Sequence, residues 1–265
     1  SVFGAIEPVL RKMGDIRAVP PVRIEDRLHL LAGDLRLSAF EGRLTGAWGA
    51  CLDETEKEDG LRVVSAFYRC IHAAAQAVDA TLALIDVGPN IGALNRGALV
   101  AADTVVVPLA ADLFSVQALR NVGPTLNEWR RGWEQRRQSL PTSAPMPLPM
   151  GAMQPLGYVI LNPSVRENRP VKAYRRWADR IPAEFATHVL GASSAVATPE
   201  TDSNCLSLIK HFKSLMPMSL EKRKPMFLLK PADGAIGGHA GAVAACYEQF
   251  ALLADKLLGL ARTPG

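Results

Sequence analysis

Apolar residues along this chain fall into two kinds of pattern. Short unbroken runs occur at Leu28–Ala32, Leu82–Val87, Thr104–Leu109 and Leu156–Leu161, with shorter ones at His188–Leu190 and Met226–Leu229. They are β-branched or leucine-rich and end in turn or polar residues, which predicts buried strands. Continuous rather than alternating apolarity implies a sheet covered on both faces, as parallel sheets are. Between these runs the spacing changes to three and four. Phe67, Ile71, Ala74 and Val78 mark one helical face, and Val243, Tyr247, Phe250, Ala254 and Leu257 mark another. Ser115 is placed to cap a helix running towards Arg137, with a break expected at Pro124. Strand and helix alternate, so the expected class is α/β, a mostly parallel sheet flanked by helices.

Two stretches fit neither pattern. Residues 53–59 read as an acidic surface turn. Residues 139–155 hold prolines 141, 145, 147, 149 and 155 and read as a loop inserted between elements. No internal repeat is visible, and residues 1–265 are taken as a single domain.

Composition narrows the function classes. No run approaches the roughly 18 uncharged apolar residues of a membrane span, and the first thirty residues lack a signal-peptide core, so a soluble cytoplasmic protein is expected. Cys51, Cys70, Cys205 and Cys246 form no Cys-x-x-Cys pair, and the five histidines lack ligand spacing, which argues against a zinc site or a disulfide framework. Net charge is +4, yet residues 120–180 carry eleven Arg or Lys against four Asp or Glu. That local excess permits a salt-sensitive contact with nucleic acid or another acidic surface; an ordinary solvated helix face is the alternative.

In an open parallel sheet, ligands bind beyond the carboxyl ends of the strands. The residues at those places are Asp86-Val87-Gly88-Pro89-Asn90, Pro108 to Asp112, Asn162-Pro163, and Lys230-Pro231-Ala232-Asp233-Gly234. An aspartate that ends a buried strand can hold magnesium through a coordinated water beside a nucleotide's phosphates. Asp86 fits that role. Taken alone, an aspartate at such a place more commonly caps the turn after it.

Residues 82–119 resemble the Walker B region of the ParA/Soj/MinD partitioning ATPases: a hydrophobic strand, Ile-Asp-x-x-Pro, a helix with Asn-x-x-Ala-Leu, Ala-Ala-Asp, then a strand leading to Pro108. The resemblance implies a P-loop NTPase fold that binds ATP and Mg2+, with Asp86 as the magnesium-associated aspartate, Pro89 in the second switch segment and Asn95 on the helix that follows. Gly88 stands where the family often has a proline. Leu156 to Asn162 is similar to the family strand whose terminal asparagine approaches the adenine, although Asn162 could simply make a turn before Pro163. Pro231 and Asp233 lie in a segment similar to the one that closes over the base. Leu28–Phe40 looks like the strand and loop ahead of the Walker B unit.

The resemblance further implies ATP-dependent homodimerisation, nonspecific DNA binding, a ParB-like partner protein, no membrane contact, and a role in chromosome or plasmid partition. Lys172, Arg175, Arg176 and Arg180, or Lys222 to Lys224, are the candidates to face DNA. A MinD-like membrane helix at Ala251–Arg262 is the weaker reading, because its apolar face continues that of the preceding core turns. No G-x-x-x-x-G-K-[ST] occurs in the sequence, nor the family's D-x-D-P-Q. The expectation is therefore a fold lacking its first strand and P-loop, incomplete at the N-terminus, with catalytic lysines absent and the isolated chain inactive as an ATP hydrolase. The alternative is an adaptor that keeps the fold for protein contacts without nucleotide.

Overall fold

The computed structural model describes residues 1–140, 146–161, 170–193 and 197–262, without the side chains of residues 170–173 and 262. The chain divides into two compact units, residues 1–103 with 125–154, and residues 104–124 with 155–265.

The first unit is largely helical. Its elements are α1 (Val2–Leu10), the strands β1 (Val22–Glu25) and β2 (Leu28–Leu30), a 3-10 turn at Leu35–Phe40, then α2 (Glu41–Ala50), α3 (Lys57–Val64), α4 (Ala66–Gln76) and α5 (Ala93–Val100). Ile6, Phe40, Leu44, Leu61, Phe67 and Val100 fill the core, with Phe40 and Phe67 edge to face at 5.8 Å. Trp48 and Trp133 stack at 6.3 Å, and the guanidinium groups of Arg96 and Arg136 lie over the Trp48 ring at 4.3 and 4.1 Å. Arg136 also donates to the carbonyls of Trp48 and Gly132. The desolvated charge is thereby met by π density and backbone dipoles.

The second unit carries the sheet. It has three parallel strands, β3 (Thr104–Ala110), β4 (Gln154–Leu161) and β5 (Cys205–Ile209), in the order β3-β4-β5. Tyr158 and Ile160 enter one core with Val107, Leu109, Val116, Leu119, Ile181 and Phe185. Val159, Leu206 and Ile209 enter the opposite core with Phe212, Leu215, Leu229 and Cys246. One side is covered by the first turns of α6 (Leu113–Gln138), α8 (Ile181–Glu184) and the π-helical turn Phe185–Val189. The other side is covered by α9 (Leu215–Lys222) and α10 (Gly238–Arg262). Burial of both faces is what made the β3 and β4 runs continuous in sequence.

Four expected elements differ. Leu82–Val87 is not a strand: residues 82–88 have no regular structure, and Leu82, Leu84 and Val87 are exposed. A strand exists only as a member of a ladder, and no strand of this unit pairs with it. Leu28–Leu30 is a strand, but an exposed one, paired antiparallel with β1. His188–Leu190 lies at the end of the π-helical turn, where Phe185 and Val189, four apart, both reach the core. Met226–Leu228 is a 3-10 helix, because Pro225 supplies no N–H and its carbonyl accepts from Leu228 at 2.9 Å.

One helix also differs from the sequence reading, at two points. α6 begins at the Asp112 cap rather than at Ser115: the Asp112 carboxylate accepts the Ser115 N–H at 2.7 Å, and the Ser115 hydroxyl accepts the Ala110 N–H at 3.0 Å. The helix runs through Pro124 without interruption. The proline-rich segment is fastened to it, since Trp133 donates to the Pro149 carbonyl and Arg130 to those of Ala152 and Met153. Gly151 takes φ +67° there, and a Cβ would stand 2.1 Å from the Trp133 ring. α7 (Pro170–Ala178) completes the described helices.

Candidate functional site

Within the first unit, the segment with the Walker-B-like sequence is built around Asn95. This side chain is buried on α5 and donates its amide to the carbonyls of Gly88 and Asn90 at 2.5 and 2.7 Å. The Asn90 side chain in turn accepts the Gly92 N–H at 3.1 Å. The Glu41 carboxylate accepts the Ala93 and Leu94 N–H groups at 2.6 and 2.8 Å, so it occupies the positive end of α5. The turn from Gly88 to Leu94 is thus held from two sides. Sequence reasoning found Asn95 and missed Glu41, which lies far upstream with no motif around it.

Asp86 sits just before that turn and Pro89 within it, and both are exposed. Asp86 has no hydrogen-bond or ion-pair partner among the described residues. No group of three or more His, Cys, Asp or Glu placed to hold a metal ion occurs among them either. One exposed carboxylate, with the adjacent helix N-terminus already filled by Glu41, does not make a magnesium–nucleotide site. The described residues do not fit Mg2+ and ATP on their own.

The second unit places the remaining candidates. Asn162, beyond Leu161 at the end of β4, lies outside the described residues. Pro231 opens a 3-10 turn that Asp233 closes: its carboxylate accepts the Lys230 N–H at 2.9 Å and binds the Lys224 ammonium at 2.8 and 3.0 Å. Lys224 holds that carboxyl below the usual range. Asp233 is therefore committed to its own loop. At the end of β3, Asp112 is likewise committed to capping α6.

The basic candidates are mostly matched. Arg175 binds Glu200 at 2.6 and 3.1 Å and Asp179 at 2.9 Å, while Arg180 lies 3.9 Å from Glu184. Arg176 and Arg180 lie over Trp177. Lys222 pairs with Glu221. The side chain of Lys172 is outside the described set. All four thiols are buried, and desolvation raises Cys51 to about 12 and Cys205 to about 11, so neither is a nucleophile at neutral pH.

The polar side chains that sequence reasoning passed over are Gln249 and Lys256, two turns apart on α10. Gln249 donates to the Leu208 carbonyl at 2.6 Å and accepts the Lys210 N–H at 3.0 Å; Lys256 donates to the Cys205 carbonyl at 2.9 Å. They line a groove of about 470 Å³ along β5 with Leu206, Ser207 and Leu252. Their seven-residue spacing amid leucines was the available signal, because it puts both on one helix face.

No protein-family model and no curated protein matches the chain. Among solved structures it is similar to protein DIP2308 from Corynebacterium diphtheriae, with 23% identity and a TM-score of 0.54 over 80% of this chain and 70% of that one. That likeness concerns the fold alone. No described helix is long and apolar enough to cross a membrane.

Proposed function

We propose that this chain is the body of a ParA-like partitioning ATPase, a cytoplasmic protein whose nucleotide site is completed by a phosphate-binding loop that its own residues do not supply. The observation that carries the reading is the segment Leu82–Val87. It has the sequence of a central strand, yet it lies unpaired with Leu84 86% exposed, while the turn and helix after it are firmly built. Apolar β-branched sequence left in water is unfavourable, and pairing with a further strand would bury it. Such pairing would set Asp86 at a strand end, the place from which a carboxylate serves magnesium. ATP, Mg2+, dimerisation, nonspecific DNA binding and a ParB-like partner belong to the completed site. Hydrolysis by the chain as it stands is negligible.

The experiment is a titration with a fluorescent ATP analogue in magnesium. The chain alone should show no saturation below about 1 mM. A chain with a β-branched strand and the loop K-G-G-x-G-K-T fused ahead of Ser1 should bind, and Asp86→Asn should remove the magnesium dependence. A fused chain that folds and still takes no nucleotide ends the reading.

The second reading is a nucleotide-free adaptor, favoured by the commitment of Glu41, Asp112 and Asp233 to internal bonds. It expects Asp86→Asn to change nothing in either chain.

A further inference from the structure

Among the described residues β5 is an edge strand of the three-stranded sheet, and side chains of α10 bond three backbone groups along its outer side. Gln249 bonds the carbonyl of Leu208 and the N–H of Lys210, the groups on either side of Ile209. One residue of a parallel neighbouring strand makes the same two bonds, to the carbonyl before and the N–H after the residue it faces. The Gln249 amide thus does what one residue of a neighbouring strand would do. Lys256 does the same for the Cys205 carbonyl.

We propose that the β5 edge is a docking site for an extended acidic peptide, which adds in parallel as a fourth strand and displaces Gln249 and Lys256. Main-chain bonds to the edge supply affinity, and alternate side chains supply selectivity. Leu252, 71% exposed in the same groove, offers apolar surface to the side chains on one face of the docked strand. Lys210 and Lys256 outnumber Glu248 among the charges that line the groove, and Lys256 is released when the peptide takes the Cys205 carbonyl. This excess of cation selects acidic residues in the peptide. It also disfavours a second copy of the chain, whose own Lys210 and Lys256 would be brought beside these. The site lies wholly in the second unit and is independent of the nucleotide reading.

The test uses the full chain and a fluorescein-labelled heptapeptide of alternating glutamate and valine, followed by anisotropy. Gln249→Ala removes the competing amide and should tighten binding about fivefold. Lys210→Gln should weaken it about threefold, and the same peptide with lysine for glutamate should not bind. Hydrogen exchange at the Lys210 amide should slow in the Gln249→Ala chain when peptide is added. Gln249→Met, which keeps the side chain's length but can neither donate to Leu208 nor accept from Lys210, covers the case in which the alanine variant misfolds, and should also tighten binding. Equal affinity in folded wild-type and variant chains overturns the proposal, as does equal binding of the lysine peptide. Dimers of Gln249→Ala in light scattering, without peptide, would assign the edge to a second copy instead and overturn the acidic partner.

Discussion

Asn95 holds Gly88 across the start of α5, its side-chain amide 2.5 Å from the glycine carbonyl, and the same amide reaches Asn90 at 2.7 Å. Two loop carbonyls therefore depend on one buried donor. Asn95→Ala leaves them without it and should cost about 1–3 kcal/mol of stability. Amide exchange at residues 88–92 should quicken well beyond the rest of the first unit. Asn95→Asp should be at least as damaging, because a carboxylate there faces two carbonyl oxygens. Unchanged exchange in that turn would mean the bonds do not order it.

Gly123 supplies a sharper test of packing in the second unit. A Cβ at this position would stand 1.8 Å from the His188 carbonyl oxygen, so α6 meets the π-helical turn backbone to backbone. Gly123→Ala should lower stability by about 1–3 kcal/mol or more, read as a shift in urea midpoint. Gly46 is the control. It lies inside α2, exposed, with nothing within 4 Å of a built Cβ, and Gly46→Ala should stabilise by about 1 kcal/mol through helix propensity alone. Similar effects at the two positions would contradict the packing argument.

The contrast between these glycines shows where sequence stops being legible. β3 and β4 could be read because their residues enter cores on both faces, so every position is apolar. α4 could be read from its spacing of three and four, and so could Val243, Phe250 and Leu257 of α10, but Tyr247 and Ala254 are exposed there and Cys246 and Leu253 take their places in the core. β5 was missed because Ser207 interrupts a five-residue run, and its membership in the sheet is decided by pairing with Tyr158 to Leu161. Leu82–Val87 has strand composition without strand structure, since hydrogen-bonded neighbours are a property of the whole chain and not of the segment. For the site, Asn95 was visible through its motif, whereas Glu41 acts on α5 from about fifty residues away and carries no local sign. Asp233 was found, but its residue type could not tell a ligand from a carboxylate that Lys224 and the Lys230 N–H already occupy.

Glu184 should contribute to acid sensitivity. Arg120 binds it with two bonds at 2.8 and 2.6 Å, and His188 lies 3.2 Å away. The Arg120 hydrogen bonds hold this carboxyl below its ordinary value. A depressed carboxyl contributes stability fully above the unfolded value of about 4.3, and that contribution is lost as pH falls through the lower folded value. Wild-type stability should therefore decline through this window. Glu184→Gln should be less stable at pH 7 and show a flatter profile below pH 4.3. Parallel profiles would show that the pair does not couple folding to protons.

Arg175 looks like a DNA contact in sequence, but the structure surrounds its guanidinium with Glu200 and Asp179, at 2.6 and 2.9 Å. A phosphate would have to displace two carboxylates to reach it. Each phosphate contact adds about 0.9 to the slope of log affinity against log salt. Arg175→Ala should therefore leave that slope unchanged in a filter-binding series with duplex DNA. Replacing both partners, Glu200→Gln with Asp179→Asn, should free the guanidinium and steepen the slope by about 0.9. If Arg175→Ala alone makes the slope shallower, the arginine reaches phosphate despite its partners, and α7 is part of the nucleic-acid face.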